Sequence, residues 1–298
     1  MPSAPPGRWP APPGSGTTCV PGEMAGQWEA SGGDKVRAGG AAQRTEARAS
    51  RLDPTGMRAF WDRKARENAM YYIQNVLDYT KTDEESFWAS GPEALDRTLA
   101  PFDLKVGPDD EVVEIGCGIG RMTRALASRA GHVVGVDVSG EMVERGREAL
   151  ADLDNVELMV GSGTDLGGIA DSSADVVYSF IVFQHIPDPA ITCSYVREIG
   201  RVLRPGGWTV FQVSERPEIH HARHWRSAES LLESLKRALG RRPRGCLEPQ
   251  WLGSSVDRAD LVEALTDGGL VLDATVGDGS QFCVVHAHRP GSKPEVLG

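Results

Sequence analysis

The chain has 298 residues, 40% of them hydrophobic, and a formal net charge of −10. Such a length holds one large α/β domain or two small ones, and the apolar content excludes a fibrous or wholly disordered protein. The acidic balance argues against a broad phosphate-binding face and hence against nucleic acid as a partner.

Residues 1–50 are rich in Pro, Gly, Ala and Ser without periodic apolar positions, so the expectation there is a disordered tail. Met24 and Met57 leave room for a downstream start. The opening "MPSAPPGRWPAPPGSG" lacks the apolar core of a secretory signal, and no run of eighteen apolar residues occurs. Five cysteines, odd in number and never spaced CxxC, read as reduced thiols. Together these features predict a soluble, cytoplasmic protein with no membrane partner. The sequence is silent on oligomeric state.

From "MRAFWDRKARENAMYYIQNVLDY", Phe60, Trp61, Ala65, Asn68, Tyr72 and Val76 recur at helical spacing. They predict one helix whose aromatic face packs against the main domain, with direct ligand contact as the alternative. A short helix is expected at "PEALDRTLAPF", with Pro92 in its first turn.

Alternation of β-rich runs and helical segments then begins. "EVVEI" (111–115), "HVVGV" (132–136), "VELMV" (156–160), "ADVVYSF" (174–180) and "WTVFQV" (208–213) read as strands, with helices after the first, second and fourth. Their near-continuous apolar character suits parallel strands covered on both faces. Ser139 and Asp188 are placed to cap helices, and Pro205, Gly206 and Gly207 to end the one before the fifth strand. An amphipathic, basic helical insertion carries Leu231, Leu232, Leu235 and Leu239; a helix capped by Asp257 comes after it. "LVLDATVG" and "QFCVVHA" close the chain as an antiparallel pair. The expected organisation is a tail over 1–50, a helical cap over 51–104, a main domain over 105–290 with its insertion over 216–245, and a flexible end over 291–298.

"VVEIGCGIGRM" sets Gly116, Gly118 and Gly120 between a strand and a helix, where the backbone reaches conformations closed to other residues and a ligand can approach it closely. In a dinucleotide dehydrogenase the third glycine would stand at position 121, which is Arg121. Glu114, beside the loop, disfavours a pyrophosphate and suits a ligand with a positive amino group. Asp137, at the carboxyl end of the second strand, can accept hydrogen bonds from both hydroxyls of a ribose. The ligand therefore has a ribose and no phosphates.

With these motifs in order, the chain resembles the class I S-adenosylmethionine-dependent methyltransferases. "VVEIGCGIGRMT" matches their first motif, "VVGVDVSGEMVERGRE" their second, and "ADVVYSFIVFQHIPDP" with "EIGRVLRPGGW" their fourth strand and the helix and turn after it. The resemblance covers about residues 55 to 290. It implies a Rossmann-like, doubly wound, seven-stranded sheet, mostly parallel with the last strand antiparallel, and S-adenosylmethionine as methyl donor. It implies that Glu114, Gly116, Gly118 and Gly120 hold the methionine part and ribose, that Asp137 binds the ribose hydroxyls, and that Cys117 and Val138 also belong to the donor-binding set. Met142 would lie on the adenine, with Ser162 and Gly163 at its amino group, Ser162 standing where an aspartate is common. Phe180 would lie near the methyl group.

His185, in "FQHIPDP", is either a general base or a structural residue. His220, His221 and His224 form a second histidine group. No metal is expected: Ile181 and Gln184 stand where glutamates precede the corresponding histidine in similar quinone-pathway O-methyltransferases. Cys117 reads as a small packing residue rather than a nucleophile. The expected activity is methylation of a small-molecule acceptor, at oxygen or nitrogen, by in-line attack on the sulfonium methyl. The competing readings are an S-adenosylmethionine-binding protein without methyl transfer and, on a weaker footing, a nicotinamide-dependent oxidoreductase.

Overall fold

The structure, a computed structural model, describes residues 54–75, 77–221 and 248–292. The tail, Val76, the leucine-bearing part of the insertion with His224, and residues 293–298 lie outside them.

The strands are β1 (Glu111–Ile115), β2 (His132–Asp137), β3 (Val156–Val160), β4 (Ala174–Ser179), β5 (Leu203–Val213), β6 (Val271–Val276) and β7 (Cys283–His288). They form one seven-stranded sheet in the order β3-β2-β1-β4-β5-β7-β6. β7 runs antiparallel to both its neighbours, and the other pairings are parallel. Reversal of sequence order at β1 and β4 makes a crevice at their carboxyl ends, where doubly wound sheets bind ligands.

Chain neighbours in the central strands go to opposite faces, and both faces are apolar. Val112, Val176, Val210 and Val284 pack with Leu95, Leu99, Met122 and Leu126 on one side. Val113, Val177, Phe211 and Val285 pack with Val196, Ile199, Leu261 and Leu265 on the other. A strand period of two, with hydrophobic residues at every step, can be satisfied only by burial on both faces. The helices that supply this cover are α2 (Glu84–Leu99) and α3 (Arg121–Ala127) on the first side, and α5 (Pro189–Val202) and α7 (Arg258–Asp267) on the second, with the short α6 (Pro249–Leu252) preceding α7. α4 (Gly140–Ala149) comes after β2 and is capped by Ser139, whose hydroxyl accepts the Met142 N–H. Asp188 and Asp257 cap α5 and α7 in the expected way, each accepting a first-turn N–H.

Three local expectations are corrected. The aromatic helix α1 (Pro54–Ile73) is interrupted at Asn68, whose backbone is extended at φ −168° and ψ 87°. The Asn68 side chain accepts the Tyr71 N–H at 3.1 Å and donates to the Tyr79 carbonyl at 3.0 Å and to Thr82 Oγ1 at 2.8 Å. An asparagine that caps a new turn competes with the continuous helix its periodicity suggests. α2 begins at Glu84, capped by Asp83, so Pro92 lies inside it. Burial of Phe87, Leu95 and Leu99 outweighs the one hydrogen bond a proline removes. β5 begins at Leu203, five residues early. Pairing jumps from Ala174 with Leu203 to Val176 with Trp208, so the Pro205–Gly206–Gly207 stretch is absorbed as an irregularity within the strand.

No described helix is long and apolar enough to cross a membrane.

Candidate functional site

A partly open cavity lies at the carboxyl ends of β1, β2 and β4. Its floor is the glycine loop. Gly116, Gly118 and Gly120 have φ of 76°, 55° and 94°, the left-handed region that a Cβ makes costly. Gly116 and Cys117 donate their N–H groups to the Val136 carbonyl at 2.7 and 3.2 Å. Gly118 donates to Asp137 Oδ2 at 2.9 Å, and Ser139 N to Asp137 Oδ1 at 2.8 Å. The Asp137 carboxylate is thus clamped at the end of β2 while still lining the cavity. Burial raises its pKa, against the lowering effect of these two N–H donors.

Glu114, the last-but-one residue of β1, is 3% exposed and also lines the cavity. Thr123 donates to its Oε2 at 2.6 Å. Burial pushes its pKa up to about 7, so a cationic group arriving beside it would favour the ionised form. Cys117 is buried, and burial holds its thiol well above the ordinary range, which suits packing and not nucleophilic attack.

Val138, Met142 and Phe180 join Glu114, Gly116, Cys117, Gly118, Asp137 and His185 on the cavity wall. Gly120, Ser162 and Gly163 do not line it. Gly120 starts α3 at the close approach of Leu150, whose Cδ1 would stand 2.4 Å from an added Cβ. The Ser162 hydroxyl closes its own turn, donating to Asp165 Oδ1 at 2.9 Å and accepting the Thr164 and Asp165 N–H groups.

His185 comes after β4 in a short 3-10 turn and meets Trp61 and Trp251 through its ring. Its Nδ1 lies 3.0 Å from the Trp251 carbonyl, an acceptor only, so Nδ1 carries the proton. Nε2 then accepts from the Gln184 amide at 3.2 Å. Burial lowers its pKa to about 4. With its lone pair engaged and its basicity depressed, the geometry favours the structural side of the alternative. Two other conceivable bases are occupied elsewhere. Tyr178 is buried outside the cavity lining, its hydroxyl 2.9 Å from Thr98 Oγ1. His220 is held between the Leu252 carbonyl and Ser214 Oγ.

The N-terminal aromatic helix covers the cavity. Met57, Trp61, Tyr72 and Ile73 of α1 line it, so the aromatic face is cavity surface as well as packing. Arg58 donates from Nε to the Val138 carbonyl at 3.1 Å and from Nη2 to the Gly161 carbonyl at 3.0 Å. Asp62 accepts from the Ser139 hydroxyl at 2.6 Å. These polar anchors fix α1 over the ends of β2 and β3, and no helical periodicity announces them. Ile181, on the wall at φ 57°, is a β-branched residue in the left-handed region, a strain of the kind that collects at ligand sites. Among the described residues, Glu215, Asp278 and Cys283 group as metal-capable side chains, but the Arg258 guanidinium pairs with both carboxylates.

Residues 113–211 match the family model described as a methyltransferase domain. An uncharacterized 37.1 kDa protein in transposon TN4556 of Streptomyces fradiae is 38% identical over 107 residues, 35% of this chain and 30% of that protein. A demethylmenaquinone methyltransferase of Staphylococcus aureus is 32% identical over 120 residues, 39% of this chain and 48% of that enzyme. The chain thus spans less than half the length of the curated relatives it matches. A solved geranyl diphosphate methyltransferase shares the fold, with TM-score 0.50 and 19% identity over 79% of this chain and 98% of that one.

Proposed function

We propose that the chain, whose residues 113–211 match a methyltransferase-domain model, is a class I S-adenosylmethionine-dependent methyltransferase that transfers the donor's methyl group to an apolar small-molecule acceptor. The observation that carries the reading is the pairing of Asp137 with the Gly118 N–H across the glycine loop. This contact sets a carboxylate for a ribose beside the exposed backbone of Gly116 and Gly118 at one end of the same cavity. The residues present fit the donor: Glu114 offers an anion to its amino group, and Asp137 offers acceptors to its ribose hydroxyls. Ser162 and Gly163 stand off the cavity wall, so the adenine falls to Met142 and Val138.

S-adenosylmethionine supplies a methyl group already activated by the sulfonium charge. What remains for the chain is to position the acceptor and exclude water. Trp61, Tyr72, Phe180, Ile181, Val182 and Ile186 present apolar surface to the acceptor side. His185 shapes this wall rather than removing a proton. The reaction then suits an acceptor atom that is nucleophilic without an enzymic base, such as a neutral amine or a readily ionised phenol. The name of the Staphylococcus aureus relative supports a small-molecule acceptor.

The test is calorimetric titration with S-adenosylmethionine and with NAD, then a screen of apolar phenols and amines for S-adenosylhomocysteine release. Binding of S-adenosylmethionine with acceptor-dependent release is the expected result. Binding without release from any acceptor would point to a binding protein, and preference for NAD would overturn the reading.

A further inference from the structure

Arg121 enters the sequence as the residue that breaks the dinucleotide spacing, and no role in the site has been given to it. It stands in the first turn of α3, directly after Gly120, and lines the cavity although only 6% exposed. Its protein partners do not match the demands of a buried guanidinium. Nη1 makes two long contacts, 3.4 Å to the Ser90 carbonyl and 3.3 Å to the Ser90 hydroxyl. Nε has no partner. Glu114 acts on the guanidinium electrostatically, yet it takes its hydrogen bond from Thr123.

Burying a cation without an anion in hydrogen-bonding contact is costly, and a site that keeps one is built for an anion that arrives from outside. A guanidinium fork matches a carboxylate in two parallel hydrogen bonds. Arg121 and Glu114 both border the cavity beside the glycine loop, one cationic and one anionic, which is the complement of an amino-acid zwitterion.

Building on the donor site proposed above, we infer that Arg121 binds the α-carboxylate of S-adenosylmethionine, with Glu114 receiving its α-ammonium. The site then distinguishes the intact donor from decarboxylated S-adenosylmethionine, which keeps the adenosine, the sulfonium, the methyl group and the amine. A guanidinium that merely braced α3 against Ser90 of α2 would be indifferent to the loss of that carboxylate.

Calorimetry with both compounds on the wild-type chain and on Arg121→Gln tests this. The wild type should bind S-adenosylmethionine roughly ten- to a hundredfold more tightly than the decarboxylated compound. In Arg121→Gln that gap should close to within about threefold, through weaker binding of the intact donor alone. Arg121→Lys, which keeps a point charge without the fork, should leave a gap between the two. Equal affinities in the wild type, or an undiminished gap in Arg121→Gln, overturn the assignment while leaving the donor site standing. Should Arg121→Gln not fold, the wild type and Arg121→Lys decide: a gap unchanged by lysine overturns it. Failure of the wild type to bind either compound removes the donor site itself.

Discussion

The Nδ1 of His185 donates to the carbonyl of Trp251 at 3.0 Å, joining the turn after β4 to the short helix α6. The Nδ1 proton is present in either charge state, but Nε2 accepts from the Gln184 amide only while the ring is neutral, and burial among Trp61 and Trp251 keeps it so, with the pKa lowered to about 4. A histidine whose folded pKa lies below its unfolded value of about 6.5 binds fewer protons folded than unfolded in that window. Its contribution to stability is therefore present above about pH 6.5 and is lost as pH falls toward 4, by at most about 1.4 kcal/mol per pH unit. His185→Asn, whose amide can still donate to Trp251, should melt below wild type at pH 7, with the deficit shrinking at pH 5. A deficit that is constant across the range would contradict a buried neutral imidazole. Donor affinity of this variant should stay close to wild type at pH 7.

Glu114 works in the opposite direction. Its folded pKa of about 7 lies above the ordinary carboxylate value of 4.5, so the folded state holds a proton that the unfolded state has lost between those limits. Stability from this group falls as pH rises from about 4.5 to 7. Glu114→Gln should therefore gain melting temperature relative to wild type at pH 8 compared with pH 4.5. The two effects oppose each other in overlapping windows, so a wild-type scan alone hides both. Paired scans of variant against wild type separate them, and a difference independent of pH would show that Glu114 is not shifted.

Asp137→Ala removes the acceptor proposed for the ribose and, with it, the clamp on the Gly118 and Ser139 N–H groups. Each hydrogen bond to a charged group is worth about 1.5 to 3 kcal/mol, so S-adenosylmethionine affinity should fall at least roughly tenfold. Calorimetry returning the wild-type value would remove Asp137 from the donor site. Thermal stability should also drop, since two N–H groups lose their partner.

Gly200 of α5 touches α7 so closely that a Cβ would lie 1.8 Å from the Gly268 carbonyl oxygen. Gly200→Ala must push the two helices apart and open the core around Val196, Leu261 and Leu265. Overpacking of this kind costs about 1 to 3 kcal/mol. The expected outcome is a melting temperature lower by several degrees, with donor affinity at low temperature unchanged because the cavity lies elsewhere. A variant as stable as wild type would show that the helices separate freely.

Truncation distinguishes the tail from the cap. Removal of residues 1–50 should leave melting temperature and donor affinity within error, since that composition offers few apolar contacts. Removal through residue 80 should be severe. It deletes buried Phe60 and Tyr71, the Arg58 and Asp62 anchors, and the Trp61, Tyr72 and Ile73 cavity wall. Equal behaviour of the two truncations would mean that α1 is not part of the folded unit.

What the sequence determined by itself was the strand runs, the glycine loop and the helix caps. The valine-rich runs could only be doubly covered strands, three glycines between strand and helix could only be a loop with left-handed backbone, and Ser139, Asp188 and Asp257 capped helices as their side chains dictate. Glu114 and Asp137 could be placed at the carboxyl ends of strands in an α/β order, and the structure puts both on the cavity wall. Only the tertiary structure decided contacts between elements distant in the chain. Asn68 broke a helix because Tyr79 and Thr82 came within reach of its amide, and Pro92 stayed inside one because Leu95 and Leu99 had a core to enter. The cap settled over the cavity through Arg58 and Asp62, far in sequence from Val138, Gly161 and Ser139. Arg121 changed from an odd residue in a motif to a buried cation on the cavity wall. Burial sets the energy of a charge or a lone pair, and burial belongs to the assembled chain, which is why His185 could be placed from sequence but its protonation could not.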